Sequence, residues 1–492
     1  MDPIEAGSSK HWLGLDFGTS SVKALLVTSS GKVRGRASAA YTSNFGPDGE
    51  AEQDPEGYLE AARNVIAECG ATALALGGIG LAGQTPTLVL VEADGKAVRP
   101  ALTWQDHRAE SEARELADTY GPAEPLFGTD LPWTPGYAPA KLLWLARHEP
   151  QSVARTRWVL QPKDFVGLAL TGSSVSDAWS SKGLCNVRTH APAEEMLNGA
   201  GWGAEVTPPI AKAWEARGKV TARAAAAFGL PEGTPVSVGW SDALAGMLAV
   251  GAFEHPTGFV LAGTSSIVGM STEDEPSSSK PLLEIPAACA PLSVLYGPTE
   301  AGGASVEWLA RLLRCEPSEV LALAASATHA NGSLLFVPYL AGERAPVWRT
   351  DVRGTLLGLS VEHGAAELAQ AVVMGVCLSE LHVLATAEEQ LGWVAGEVHV
   401  AGRGTSGPPW REARLAALGR SLHLLDEPDA SALGAAMLAA AAANGGELAA
   451  ARGLRGQAQQ VIPEVSEGES PQRRLDRYLR ATAVSRDWAD GA

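Results

Sequence analysis

A chain of 492 residues that is 46% hydrophobic can bury more than one core and should divide into two or more domains. A formal net charge of −18 argues against nucleic acid or an anionic membrane surface as partner, because either needs a basic face. Five widely spaced cysteines with no C-x-x-C pair argue against a disulfide framework or a structural zinc, and read as buried thiols in a reducing compartment.

Met1–Gly7 has neither the basic start nor the apolar run of a signal peptide. No stretch reaches the ~18 apolar residues of a membrane helix, so a cytoplasmic protein is expected. After this leader, which has the composition of disorder, Trp12–Asp16, Val22–Thr28 and Val33–Ala39 read as a three-stranded meander with a turn at Ser29–Lys32. Asp54 before Pro55 marks a helix start, with Leu59, Ala62, Val65, Ile66 and Cys69 on one face. Strands Gly78–Ala82 and Thr87–Val91 follow, then a helix over Arg108–Thr119, an alternation that implies a layered α/β domain.

The second half repeats this order. Strands flank Gly263–Thr264, a helix runs from about Ala304 to Leu313, and a strand at Leu334–Val337 precedes Pro338. A long apolar-striped helix spans Ala365–Leu391, and strand Val398–Ala401 enters the turn Gly402–Gly404. An alanine-rich helix, Ala430–Ala443, stops at Asn444–Gly446 as a helix C-terminus should. Duplication of one α/β unit explains the repeat. The expected division is 1–252 and 253–455, with the active cleft between the halves. A segment at 456–492 follows, polar over 457–472 and with a short helix near Leu475–Leu479.

Several familiar signatures are absent or misplaced. Gly78–Gly83 spells G-x-G-x-x-G, but Pro86 stands where the helix of a dinucleotide site would begin. The chain contains no G-x-x-x-x-G-K-[ST], H-E-x-x-H or G-x-S-x-G. What remains is a pair of matching turns: Asp16-Phe17-Gly18-Thr19-Ser20-Ser21 and Ala262-Gly263-Thr264-Ser265-Ser266, each between short apolar β-rich runs. Hairpin tips of this kind expose backbone N–H groups and hydroxyls that can wrap phosphate oxygens, although the same spelling also makes an ordinary turn. Asp242 lies in a small-residue apolar stretch where a carboxylate without a role is costly. It is the candidate general base, and the plainer alternative is that it caps the helix over Ala243–Leu248.

These pieces become specific as an ordered set. Asp16-Phe17-Gly18-Thr19, Gly83-Gln84, Trp104-Gln105-Asp106-His107-Arg108, Lys141–Leu145, Pro162-Lys163-Asp164, Leu170-Thr171-Gly172, Gly239-x-x-Asp242, Gly263-Thr264-Ser265 and Pro338–Pro346 stand in the order of the FGGY carbohydrate kinases. The chain resembles that family over roughly Trp12–Ala443, and within it is most similar to the xylulokinases.

The resemblance implies an α/β fold of duplicated ribonuclease H-like domains of the actin and hexokinase ATPase type, with an interdomain cleft. It also implies transfer of a phosphoryl group from ATP, with Mg²⁺, to a hydroxyl of a ketose or polyol. Asp16 would hold the metal, Gly18, Thr19, Ser20, Gly263 and Thr264 would flank the phosphates, and Asp242 would deprotonate the sugar. Gly402, Arg403 and Gly404 would lie along the nucleotide, while Gln84, Thr85, Trp104 and Asp106 would line the sugar pocket. The implied partner is a small sugar or polyol, with neither nucleic acid nor membrane; monomer and homodimer are both left open.

The departures bear on specificity. Xylulokinases carry Met-His-Gly where this chain has Thr85-Pro86-Thr87, so D-xylulose does not follow from the resemblance. The family's triple glycine is here Gly402-Arg403-Gly404, and its two signature stretches each lose one position, at Ala138 and Met374. Two rival classes are an actin-like ATPase, which should lack the base and the Trp104-Gln105-Asp106 cluster, and a non-catalytic sugar- or nucleotide-binding regulatory relative, suggested by Arg403 and Pro86.

Overall fold

The computed structural model describes residues 10–276, 280–327, 334–402, 407–456, 458–462 and 469–491. Their packing separates two compact units. Unit one comprises the described residues up to Ala249, together with Ala288–Pro291 and Asp429–Gly456. Unit two comprises Val250–Ala287, Leu292–Pro428 and the described residues after Gln457. Arg403 and Gly404, the leader and part of the 457–472 stretch lie outside the described residues.

Unit one is built on a mixed sheet in the order Ala216–Lys219, Pro235–Ser237, Leu76–Gly83, His11–Phe17, Ser21–Thr28, Val33–Ala40. His11–Phe17 runs antiparallel to Ser21–Thr28 and parallel to Leu76–Gly83, and Trp240–Ser241 joins the far end of Leu76–Gly83. Alternation sends Leu13, Leu15 and Phe17 into one core with Val22, Ile79, Leu81 and Val236. Helix Pro55–Glu68 covers them, started by Asp54, whose carboxylate accepts the Glu56 N–H at 3.0 Å.

Gly14, Gly78 and Gly80 face the other way. A Cβ on Gly80 would overlap the Ala435 carbonyl, and one on Gly14 the Ala432 carbonyl, so helix Ala430–Ala443 lies directly on the sheet backbone. This helix falls in the C-terminal half by sequence, yet it packs in unit one. Gly80→Ala should therefore destabilise unit one by about 1–3 kcal/mol through overpacking. Gly453→Ala, whose Cβ meets nothing within 4 Å, is the control expected to melt like wild type. Denaturant unfolding of both variants checks the difference.

Unit two repeats the design, with a sheet ordered Leu283–Ile285, Ser293–Pro298, Ser266–Thr272, Gly258–Ala262, Glu397–Ala401, Ser421–Leu424, Gln459–Val461. Gly258–Ala262 is antiparallel to Ser266–Thr272 and parallel to Glu397–Ala401, matching the arrangement around His11–Phe17. Helix Ala365–Leu391 packs beneath this sheet, with Val372, Val376, Leu381 and Leu384 in the core. By length and composition that helix could cross a membrane, which corrects the expectation that no stretch qualifies; most of it is buried inside unit two. The terminal helix is longer than expected, Pro471–Gly491. Its arginine-rich start reads as loop in sequence, but Tyr478, Ala481 and Ser485 are buried and Ser485 Oγ donates to Arg353 O at 2.7 Å.

Candidate active site

The turn Gly18–Ser20 closes the first hairpin, with Gly18 N–H donating to Ser21 O at 3.0 Å. Its carbonyls are held from behind: Tyr41 donates its hydroxyl to Gly18 O and its amide to Ser20 O, and Gln53 Nε2 donates to Thr19 O at 2.6 Å. With the carbonyls tied down, the Thr19 and Ser20 amides have no protein acceptor among the described residues. An anion is the chemical partner such a turn suits.

Asp16, one residue before the tip strand ends, is paired in register with Lys23 on one side and Ala82 on the other. Trp240 is also paired with Ala82, so the strand that delivers Asp242 flanks the same central strand as Asp16. Asp16 is buried, and its Oδ1 has no hydrogen-bond partner among the described residues. Burial, reinforced by the charges of Asp242 and Asp429, pushes its carboxyl up to about 7 against the opposing pull of Lys23. Lys23 itself sits 3.1 Å from Asp429. An orphaned carboxylate oxygen among further carboxylates is a donor set that fits a hard divalent cation such as Mg²⁺.

Asp242 opens helix Asp242–Val250, but the cap is Ser241, whose Oγ accepts the Leu244 N–H at 3.4 Å. The Asp242 carboxylate takes only the Ala243 N–H, at 2.7 Å on Oδ1, leaving Oδ2 without a protein donor among the described residues. The plain capping alternative is thus filled by a neighbour. Burial raises the Asp242 pKa, partly countered by the Ala243 N–H and by Lys182 and Lys23.

Lys182 was not foreseen. It is buried, donates to Thr85 Oγ1 and Trp179 O at 3.3 Å each, and lies over the Trp179 ring at 5.0 Å. Burial pushes its ammonium down to about 8, against the attraction of Asp177 and Asp242. The only local hint was a lysine in the small-residue run Ser180-Ser181-Lys182-Gly183. Thr85 is half-buried on the turn after Gln84, and Lys141 Nζ fixes that turn by donating to Pro86 O at 3.2 Å and Thr103 O at 2.6 Å. Thr87 N–H donates to Gln161 Oε1 at 2.9 Å.

Gln84 and Trp104 reach the same region. Gln84 Nε2 donates to Gln53 Oε1 at 2.9 Å while its own Oε1 is buried without a partner among the described residues. Trp104 Nε1 donates to Thr19 Oγ1 at 3.1 Å and leaves the ring partly exposed. Asp106 differs. Its carboxylate is fully buried and occupied by Ala51 N–H at 2.9 Å and by the Arg108 guanidinium at 2.7–3.0 Å. Those bonds fix the loop carrying Trp104, so Asp106 is better read as scaffold than as a sugar contact.

In unit two, the Gly263–Ser265 tip stands at the matching place and is closed one residue tighter, with Gly263 N–H donating to Ser265 O at 3.0 Å. The Gly263 and Thr264 carbonyls accept the Gly303 and Ala304 amides at the start of helix Gly303–Leu313, again fixing the tip through its carbonyls. Gly402, at φ 109°, packs where any Cβ would overlap the Ala262 carbonyl, so the turn after Glu397–Ala401 adjoins the hairpin. Ser266 Oγ donates to Glu380 Oε1 at 2.8 Å, and Glu380 pairs with Arg414 at 2.8 and 3.0 Å, which ties the hairpin base to two helices. A cavity of about 390 Å³ abuts the start of helix Pro408–Leu418, lined by Gln370, Met374, Pro409, Glu412 and Ala413. That volume is within the range of small-ligand pockets.

Comparison with known proteins agrees with this geometry. Residues 11–249 match the model of the FGGY family of carbohydrate kinases, N-terminal domain, and residues 258–443 match the C-terminal domain of the same family. The chain is 29% identical to a xylulose kinase of Bacillus subtilis over 88% of each chain. It is 30% identical to one of Escherichia coli over 88% of this chain and 90% of the relative. The crystal structure of a xyloylose kinase from Brucella ovis is 28% identical, with a TM-score of 0.87 covering 98% of this chain and all of that one.

Proposed function

Because the chain belongs to the FGGY family of carbohydrate kinases, with ATP as phosphate donor, we propose that it phosphorylates a hydroxyl of a ketopentose such as D-xylulose, or of a related ketose or polyol. The observation that carries the reading is the arrangement of Asp16 and Asp242. A buried carboxylate, Asp16, with its Oδ1 orphaned, and a half-buried one, Asp242, with its Oδ2 free, flank one central strand. Asp242 accepts the proton of the attacking hydroxyl through its free Oδ2. Asp16, with Asp242 and Asp429 nearby, would hold Mg²⁺, which when bound neutralises charge on the phosphates. The Thr19 and Ser20 amides receive phosphate oxygens, the Gly263–Ser265 tip and Gly402 serve the nucleotide, and its adenosine occupies the cavity beside Pro409. Five free cysteines accord with a reducing, cytoplasmic setting.

Lys182 donates to Thr85 and carries its charge near enough to Asp242 to favour that carboxyl's ionised form. Its positive charge favours the ionised base, so Lys182→Met should move the acid limb of the kcat/KM profile to higher pH, as the unassisted Asp242 holds its proton longer. A merely structural lysine would lower activity without moving that limb. The function itself is tested by ADP release over pentuloses, hexuloses, pentitols, tetritols and glycerol. Release stimulated by at least one of them is expected, and its absence across the panel would favour the regulatory reading.

A further inference from the structure

Three histidines of unit two converge on one glutamate at a place the phosphoryl-transfer reading does not use. Strands Glu397–Ala401 and Ser421–Leu424 pair with His399 opposite His423, and Glu397 lies two residues before His399 on the same face. His255 joins them from the segment leading into Gly258–Ala262. His399 Nε2 lies 3.3 Å and His255 Nε2 3.8 Å from Glu397 Oε1, and one donor atom from each of these three residues falls within 4.8 Å of the others. The His399 and His423 rings stack at 4.9 Å.

The tautomers decide what this cluster can do. His399 Nδ1 lies 2.5 Å from Val250 O and His255 Nδ1 3.2 Å from Pro256 O, contacts that a ring N–H makes to a carbonyl. His399 Nε2 also lies within hydrogen-bond distance of Glu397 Oε1, at 3.3 Å; an ion bound beside Glu397 would replace that bond, and with the proton held at Nδ1 each Nε2 lone pair is then available to it. Backbone carbonyls orient metal-bound imidazoles in this way. His423 Nε2 sits 2.8 Å from Glu397 Oε2 but out of line for a hydrogen bond, and is left a buried ring nitrogen without a hydrogen-bond partner among the described residues.

We propose that His255, His399 and Glu397, with His423 beside them, form a binding site for a Zn²⁺-class transition-metal ion. Two imidazole nitrogens and a carboxylate oxygen, with His423 or water available as a fourth ligand, are a zinc donor set; bonds of about 2.0–2.1 Å place tetrahedral donors about 3.3 Å apart, and the three donor atoms here already lie within 4.8 Å of one another. Mg²⁺, which demands oxygen ligands, is a poor fit. The low cysteine count argues only against a thiolate site. His399 stands three residues before Gly402, so the site lies roughly 10 Å of strand away from the nucleotide turn. The ion's role is then to pin the segment before Gly258 to the two strands, not to act in phosphoryl transfer.

The test uses the full chain stripped by chelator. Zn²⁺ titration followed calorimetrically should show one site, and at about 100-fold excess over Kd the folded population should gain roughly 100-fold, read as a raised Tm. Co²⁺ should give the visible spectrum of a tetrahedral site without the thiolate absorption that binding to the five cysteines would add. His255→Ala, at an exposed side chain where folding is not at risk, should weaken Zn²⁺ at least tenfold, and His399→Ala should abolish one-site binding. No stoichiometric binding, thiolate absorption in the Co²⁺ form, or affinity unchanged in His255→Ala would overturn the proposal.

Discussion

Replacing Asp242 with asparagine is expected to lower kcat by roughly 10²- to 10⁴-fold, the usual worth of a general base, with KM for sugar and ATP little changed. The fold should tolerate the change because Ser241, not Asp242, caps the helix, and the amide can still accept the Ala243 N–H. Burial already penalises the Asp242 charge, so the variant should melt at or above wild type near pH 8. A folded Asp242→Asn enzyme with near-wild-type kcat would remove Asp242 from the chemistry. In wild type, kcat/KM should rise with pH as Asp242 loses its proton.

Asp16→Asn should separate function from stability in opposite directions. The Asp16 pKa is raised from 3.8 to about 7 on folding, so in the absence of metal the folded state holds a proton that the unfolded state releases. Stability from this group therefore falls as pH rises from about 4 to about 7 and stays low above that. Asn carries no such penalty. The variant's Tm should exceed wild type's by an amount that grows over this interval and then levels, on the order of 2–4 °C for each kcal/mol recovered. Mg²⁺ should narrow the gap by binding wild type preferentially. In the assay, the Mg²⁺ concentration for half-maximal rate should rise about 10- to 100-fold, and kcat should fall. Melting curves at several pH values, with chelator and with Mg²⁺, test the sign. A variant less stable than wild type at pH 8 in chelator would show that the Asp16 charge is compensated by something else.

Much of the fold was legible because its signals are local. The bounds of helices Ala365–Leu391 and Ala430–Ala443 follow from apolar runs ending at glycine or asparagine, and Asp54-Pro55 marks a helix start without tertiary help. Both hairpin tips were readable from glycine and hydroxyl residues between β-rich runs. What the sequence withheld depends on long-range partners. Ala430–Ala443 belongs to unit one because Gly14 and Gly80 leave a flat backbone for it, a pairing that spans over 300 residues and has no local mark. Asp106 looked like a pocket residue until Arg108 and Ala51 proved to occupy its carboxylate. Lys182 and Asp429 reach Asp242 and Asp16 only through the folded chain.

The central claim, that this chain passes the terminal phosphoryl group of ATP to a sugar hydroxyl, is met most directly by phosphorus NMR of the reaction mixture. One phosphomonoester should appear for each ATP consumed, only when an accepted sugar is present, with Asp242→Asn giving neither product nor ADP at a comparable rate. ATP broken down to inorganic phosphate at the same rate with and without every sugar tested would contradict it and identify an ATPase instead.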